Sequence, residues 1–231
     1  MMMRLDEIDD IDLIEPIRLQ TVNILYNEDD GIIMLEKESQ SLMISMTNME
    51  KLKSLFSLYH LDQYDLYDVK QKEIVDLLLH EYHKKDVFAC YQAVYPFKTY
   101  IDFALPHDVS IQPLTLQYLD EVYQIYHHLS DRDYLQDRIE QQAMWGLFVK
   151  NELAGFIGIH KEGSMGILEI KKNYQRQGYG YLLEAYLINH LLKQGKVPFC
   201  QVVVGNNASL ALQRKLNMRL SSRYSYWVFD E

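Results

Sequence analysis

The segment that most constrains this chain runs Ile167-Leu-Glu-Ile-Lys-Lys-Asn-Tyr-Gln175-Arg-Gln-Gly178-Tyr-Gly180-Tyr-Leu-Leu. A strand-like apolar run enters a turn punctuated by two glycines, and the turn opens at once into a helical pattern. Tyr179, Leu182, Leu183, Tyr186, Leu187 and Leu191 fall on one face, which predicts an amphipathic helix over 179–193. The first N–H groups of such a helix have no intrahelical partner, and the positive end of the helix dipole lies among them. Glycines let an anion approach without a Cβ in the way, and Arg176 adds a fixed positive charge beside the turn. A pyrophosphate suits this arrangement. Taken alone, two glycines more commonly serve a tight turn and close helix packing.

The surrounding sequence narrows the choice. A dinucleotide-binding turn would need a third glycine at its own spacing, and a phosphate loop would need Gly-Lys-Ser/Thr; neither is present. The runs WGLFVKN, AGFIGIH and MGILEIK are separated by turn-forming residues and read as an antiparallel meander, not as parallel strands. Beyond the helix, QVVVGNNASLALQRKLNM supplies a buried strand over 199–204, then Gly205-Asn206-Asn207, then a short helix over 208–216 and a closing strand, RYSYWVF. A sheet that begins antiparallel and ends in strand-helix-strand crossovers is mixed, with helices on both faces.

These residues resemble the GNAT superfamily of acyl-CoA-dependent N-acyltransferases. Its signature, Gln/Arg-x-x-Gly-x-Gly/Ala, is met by Gln175, Gly178 and Gly180, and its strand-Asn-x-x-Ser-helix by VVVGNNASLALQRKL with Asn206 and Ser209. The closer likeness is to the branch of glycine N-acyltransferase-like proteins, in which an Asn, a short helix and a late Trp close the chain, here Asn206, the helix over 208–216 and Trp227. The resemblance covers residues 109–231. It implies an α/β fold of the GNAT type, with acetyl-CoA or another acyl-CoA as co-substrate lying between two splayed parallel strands over 166–171 and 199–204. Its pantetheine arm would pair with strand backbone at Leu168 and Ile170. Gln175 and Arg176, with the backbone of Gln177, Gly178, Tyr179, Gly180 and Tyr181, would hold the pyrophosphate, and Asn206 and Ser209 would meet the pantetheine arm. The thioester would be attacked directly by a primary amine of a small molecule or amino acid.

The proton-transfer groups are less plainly marked. Many members of the superfamily carry a Tyr in the last helix that protonates the leaving thiolate, and Gln213 stands there in this chain. Tyr224 and Tyr226 lie nearby in sequence, although YSYW also reads as ordinary sheet residues. Asn217 replaces a customary glycine and tolerates the left-handed conformation of a helix C-cap. Glu169, the acid inside the predicted cofactor strand, is the first candidate for the general base; an exposed acid on the solvent side of a strand is an equal reading. Glu162, His127 and His128 are weaker candidates, and the related glycine acyltransferases place their acid near Ser164. A non-catalytic CoA-binding regulatory module is the alternative that Gln213 favours. The acceptor pocket would be shaped by 127–134 and 223–227.

The first hundred residues hold strand-like runs at 21–26, 32–36, 42–46, 63–69 and 87–95, with helices begun at Asn48 and over 70–83, but no glycine signature. A degenerate half-copy of the same fold and an unrelated cap are both compatible with this order. Pro96, Pro106 and Pro113 punctuate a less periodic stretch, placing a junction near 100–108 and dividing the chain into domains 1–104 and 105–231. The formal charge of -10 argues against a nucleic-acid partner. The acids Asp6, Glu7, Asp9, Asp10, Asp12 and Glu15 are expected on a solvated face. Cys90 and Cys200 sit in apolar runs, the histidines show no metal-ligand spacing, and no apolar stretch approaches the ~20 residues that span a bilayer. The expectation is a cytoplasmic monomer or homodimer without metal or membrane contact.

Overall fold

The computed structural model describes residues 3–126 and 131–230. In chain order the elements are α1 (Ile11–Leu19), β1 (Val22–Glu28), β2 (Gly31–Glu36), β3 (Leu42–Met46), α2 (Met49–Tyr59), β4 (Leu66–Val69), α3 (Lys72–His80) and β5 (Asp86–Val94). There follow β6 (Val109–Pro113), α4 (Leu119–Ile125), α5 (Arg132–Glu140), β7 (Met144–Val149), β8 (Glu152–Ile159), β9 (Met165–Ile170), α6 (Tyr179–Lys193), β10 (Phe199–Val203), α7 (Asn207–Lys215) and β11 (Arg219–Phe229). The order β1-β2-β3-α2-β4-α3-β5 is repeated as β7-β8-β9-α6-β10-α7-β11. The fold is α/β with mixed sheet pairing, and its N-terminal half copies the element order of the C-terminal half.

The compact units are not consecutive stretches of chain. One comprises 1–94, 201–207 and 220–231; the other comprises 95–200 and 208–219. In the first unit the strands lie in the order β1-β2-β3-β4-β11-β5. β1, β2 and β3 form an antiparallel meander, β4 joins β3 in parallel, and β11 pairs antiparallel with β4 through Tyr226↔Val69 to Phe229↔Leu66. β2 and β3 are buried on both sides, so they read as continuous apolar runs. Their alternate side chains split cleanly: Ile33, Ile44 and Met46 pack with Leu52, Phe56, Ile74 and Leu78 of α2 and α3, whereas Ile32, Met34 and Met43 pack with Leu13 of α1.

α1 is not among the helices expected from the sequence, and it corrects the expectation of a solvated acidic face for Asp10, Asp12 and Glu15, whereas Asp6 and Glu7 are exposed. Asp10, Asp12 and Glu15 are 2%, 0% and 3% exposed. Burial of a carboxylate demands partners, and Asp12 has them: it pairs with the buried ammonium of Lys70 and accepts hydrogen bonds from Gln92 and Ser225. Lys70 also donates to Ser225 Oγ at 2.7 Å, Gln92 donates to the same oxygen at 2.9 Å, and Trp227 Nε1 donates to Gln201 Oε1 at 2.6 Å. Asp9 accepts from the Ser222 backbone at 2.6 Å and from Arg223 Nε at 2.9 Å. Opposite charges far apart in sequence thus fasten β11 to α1 and β4.

In the second unit β6, β7, β8 and β9 form an antiparallel sheet in that order. The expected three-strand meander is present with β6 added at its edge. β6 ends on Pro113, and proline is tolerated at such an edge because no ladder donor is needed there. α4 and α5 bury Leu119, Val122, Leu135 and Ile139 against Phe148, Phe156 and Ile167. The stretch after β5 is fastened to α6 by reciprocal bonds between the Asn189 amide and the Ile101 backbone, each 2.8 Å. Thr115 precedes a short 3-10 turn and makes no side-chain cap, and α4 begins only at Leu119.

Asp12→Ala leaves Lys70 buried without its counterion and is expected to cost about 3–5 kcal/mol in urea unfolding. The paired change Asp12→Leu with Lys70→Met should cost clearly less than Asp12→Ala, because no charge then remains in the interior.

Candidate functional site

β9 and β10 are parallel neighbours that meet at a single residue pair, Cys200↔Met165, at their N-terminal ends. The equivalent strands of the N-terminal half, β3 and β4, stay zipped through Leu42↔Tyr67, Met43↔Asp68 and Ile44↔Val69, and Lys70 N–H continues the ladder to Ile44. Backbone groups along β9 beyond Met165 are therefore placed to pair with something other than β10.

The helix starts differ in the same sense. α2 has Asn48 as its cap, with the side chain accepting from Lys51 N–H at 3.0 Å. α6 starts at Gly178, which has φ +85 and makes no side-chain cap, and no acidic residue lies in its first turn. The N–H groups of Tyr179, Gly180 and Tyr181 open toward a turn in which Gln175, Arg176, Gln177 and Gly178 are all exposed. Arg176 also has φ +61, so two left-handed residues bracket Gln177 and curl the backbone as anion-binding nests do. Gln175 Nε2 donates to the Ile170 carbonyl at 3.0 Å and Gln177 Nε2 to the Asn173 carbonyl at 3.2 Å. The first of these bonds tethers the turn to β9, and the second closes the turn on itself.

β9 is not regular. Its register against β8 shifts between Phe156↔Glu169 and Gly158↔Gly166, and Ile167 has φ +50. A β-branched residue in that region is a genuine outlier, and such bulges re-aim groups beside functional sites. Leu168 and Ile170 are half-buried along the strand, and Ile170 Cγ1 lies 3.9 Å from where a Cβ on Gly180 would stand.

Glu169 is half-buried, pairs across the sheet with Phe156, and accepts from Ile170 N–H at 3.2 Å. Its charge, after burial itself, helps push the Tyr126 phenol up to about 12. Nearby in the unit, Tyr134 Oη and His160 Nδ1 are 2.8 Å apart, and the His160 ring fills the space that a side chain on Gly166 would take. His160 carried no spacing signal, because only the bulged strand gives it a glycine to lie over. Glu162 accepts from Ser164 Oγ at 2.5 Å. His127 and His128 lie outside the described residues. Tyr224 and Tyr226 lie in β11 of the first unit, where Tyr224 Oη meets Tyr91 Oη at 3.2 Å. Asn206 follows β10 in an exposed turn, its N–H bonded to Val203 at 3.0 Å, and Ser209 sits in the first half of α7. Asn217 has φ 58 and closes α7 as a left-handed cap.

Gln213 is buried, and with it comes a group that sequence reasoning missed. The Gln213 amide hydrogen-bonds the carboxyl of Glu184, a wholly buried acid on α6. Cys200 Sγ approaches the same carboxyl at 3.8 Å. Glu184 Oε2 and Gln213 Oε1 have no hydrogen-bond partner. Burial pushes the Glu184 carboxyl from 4.5 up to about 7, so a large share of it keeps its proton in neutral solution, where an ordinary carboxyl would not. The sequence hid it, since Glu184 reads as one polar residue in an amphipathic helix. Among the described residues no group of three His, Cys, Asp or Glu side chains could hold a metal ion, and no helix is long and apolar enough to cross a membrane.

A strand that parts from its parallel neighbour, followed by an uncapped glycine turn, defines the GNAT acyltransferase fold, and solved structures bear this out. A Drosophila protein superimposes with a TM-score of 0.68 at 16% identity, over 87% of this chain and 74% of its own. A GCN5-related N-acetyltransferase from Kribbella flavida gives 0.64 at 9% identity, over 98% and 96%. A tandem GNAT protein from the clavulanic acid biosynthesis pathway gives 0.52 at 11%, over 95% and 87%, in keeping with the repeated element order. The family described as FR47-like protein matches residues 145–228, the stretch that holds the turn, β9, β10 and α7. No curated protein sequence matches the chain.

Two substitutions separate conformation from contact at the turn. Gly178→Val places a β-branched residue at φ +85 beside the helix N–H groups. It is expected to cost roughly 1–2 kcal/mol of stability and to weaken CoA more than tenfold by calorimetry. A Cβ at Gly180 meets only ordinary contacts at 3.8 and 3.9 Å, so Gly180→Ala should melt near the parent protein. Glu184 adds a pH signature. With its folded value raised from 4.5 to about 7, its contribution to stability is full below 4.5 and is lost as pH rises through 7. The loss is on the order of 3 kcal/mol, and Glu184→Gln should flatten it in urea unfolding at pH 5 and pH 8.

Proposed function

We propose that the protein is an acyl-CoA-dependent N-acyltransferase that moves an acetyl or other acyl group to a primary amine of a small molecule or amino acid. The observation that carries this reading is the parting of β9 from β10 after one residue pair, directly before an uncapped helix start. A pantetheine arm has about the backbone length of four residues, or ~13 Å at strand spacing. With pyrophosphate on the N–H groups of Gln177, Gly178, Tyr179, Gly180 and Tyr181 and on Arg176, the arm reaches back along Ile170 and Leu168 to the bulge. Asn206 and Ser209 then meet the arm from the β10 side. The bulged backbone at Ile167 aims a strand N–H at the thioester carbonyl, where negative charge develops during attack.

Glu169 takes the proton of the attacking ammonium. Its support is its position on the bulged strand beside Tyr126, on the α4 and α5 face. Holding amine and thioester together supplies a large part of the rate, and no covalent enzyme intermediate is needed. The sequence likeness to the glycine N-acyltransferase-like branch, through Asn206 and Trp227, makes glycine a first acceptor to try. The reading keeps the site within the 105–231 domain of a cytoplasmic monomer or homodimer that binds neither nucleic acid nor membrane. A second reading, a non-catalytic CoA-binding regulatory module, is favoured by Gln213, an amide that donates no proton to a thiolate.

Thermal melts with acetyl-CoA, CoA and longer acyl-CoAs separate the readings, followed by thiol release over a panel of amines that includes glycine. Ligand at a hundred times its Kd should add about 2.7 kcal/mol. Stabilisation without turnover on any amine would favour the regulatory module, and no stabilisation at millimolar ligand would sink both. Glu169→Gln should lose turnover and regain part of it at high pH, where the amine is already deprotonated; an unchanged pH profile would remove Glu169 from the site.

A further inference from the structure

We propose that Glu184 is the proton donor to the CoA thiolate as it leaves, a catalytic role for a core carboxyl on the face of the sheet opposite Glu169. This rests on the acyltransferase reading. Expulsion of a thiolate into an apolar slot requires a proton at sulfur, and the depth of the slot is set by Cys200↔Met165, where β10 and β9 meet. Cys200 itself approaches the Glu184 carboxyl at 3.8 Å, so the carboxyl stands at the closed end of the gap. Glu184 lies one and a half turns past Gly178 on α6, about 9 Å along the helix, on the way from the pyrophosphate turn to that closed end. Its Oε2 has no protein partner although the residue is 2% exposed. A buried polar oxygen left unmatched in this way calls for a ligand or a function.

The groups that meet Glu184 fit a neutral acid. Gln213 from α7 offers its amide and Cys200 from β10 its thiol; among the described residues no charged side chain is a cause of the carboxyl's shift. Burial therefore raises the carboxyl with no charged partner among its causes, and a large share of the acid form persists at neutral pH. In the reaction the amine nitrogen forms a bond to the acyl carbon and the carbon–sulfur bond breaks. The amine attacks in its neutral form, its ammonium proton having passed through Glu169 to water; the sulfur takes the proton from Glu184 Oε2, and the one proton the nitrogen must still lose goes to the reionised Glu169. Glu184 is reprotonated from water when CoA departs, and Glu169 returns its proton to water. No further reactant is required. Gln213 is a positioning residue here: its amide keeps one carboxyl oxygen occupied, so that the other carries the proton.

Glu184→Gln keeps the volume and the hydrogen-bonding capacity of the site, so the variant should fold and bind CoA within about twofold of the parent. Its kcat should fall by about 10²–10⁴-fold, the usual range for a lost general acid, with KM for acyl-CoA little changed. The parent kcat should decline above pH 7 as the acid form is lost, and the variant should lack that decline. A second measurement needs no acceptor: the ultraviolet thiolate absorbance of bound CoA, taken against unliganded protein, followed through pH. Beside an ionised Glu184 the bound thiol holds its proton more tightly, so in Glu184→Gln it should ionise at a pH lower by about one unit or more. An identical thiol titration in parent and variant overturns the assignment, as does an unchanged kcat. Failure of the parent to bind CoA overturns the acyltransferase reading first, and turnover by both proteins at equal rates overturns the Glu184 role alone.

Discussion

The C-terminal half of this protein is organised around two parallel strands that pair at a single residue pair, Cys200↔Met165. Backbone groups in a sheet interior must be matched, and a strand that gives up its neighbour has to be matched by another chain, by water or by a ligand with amide-like groups. Every other feature of the site follows from where the gap opens. The bulge at Ile167 lies just beyond the Met165–Cys200 contact, and Gln175 tethers the following turn back to the end of β9. The N-terminal half has the same element order without this opening. Its strands β3 and β4 stay paired, and α2 is capped by Asn48.

How far the sequence foretold this depends on range. Local patterns did well: the glycine turn, the meander of β7, β8 and β9, the start of α6, and Asn217 as a left-handed cap all rest on residues within a few positions of each other. Features that depend on distant partners were not legible. α1 carries acids and an internal Pro16, and nothing near Asp12 in sequence announces that Lys70, Gln92 and Ser225 will enclose it. Buried charge looks like surface charge until its counterion is located. The pair of Glu184 and Gln213 was hidden in the same way: a helix with polar residues at regular spacing does not say which of them point inward. The bulge in β9 was invisible as well, because Ile167 is an ordinary strand residue by type.

The proposed roles of the two carboxyls rest on their unlike surroundings. Glu169 sits half-buried beside a phenol, whereas Glu184 is enclosed by an amide, a thiol and aliphatic side chains, and no cation steadies its charge. Desolvation is the cause that raises the Glu184 carboxyl, and the amide and thiol beside it only partly offset it.

The position of β11 has a consequence for how the chain is made. The sheet of the first unit needs β11 between β4 and β5, yet β11 is encoded over 130 residues after β5 begins, so on a ribosome that sheet waits until residue 229 has emerged. Until then β4 presents an unpaired edge, and Lys70 has Asp12 but not Ser225. Long-range pairing of this kind makes folding slow and leaves edges open to mispairing. The acids around Asp9 and Asp10, which later grip Ser222 and Arg223, give the nascent first half a local negative charge that opposes self-association during that wait.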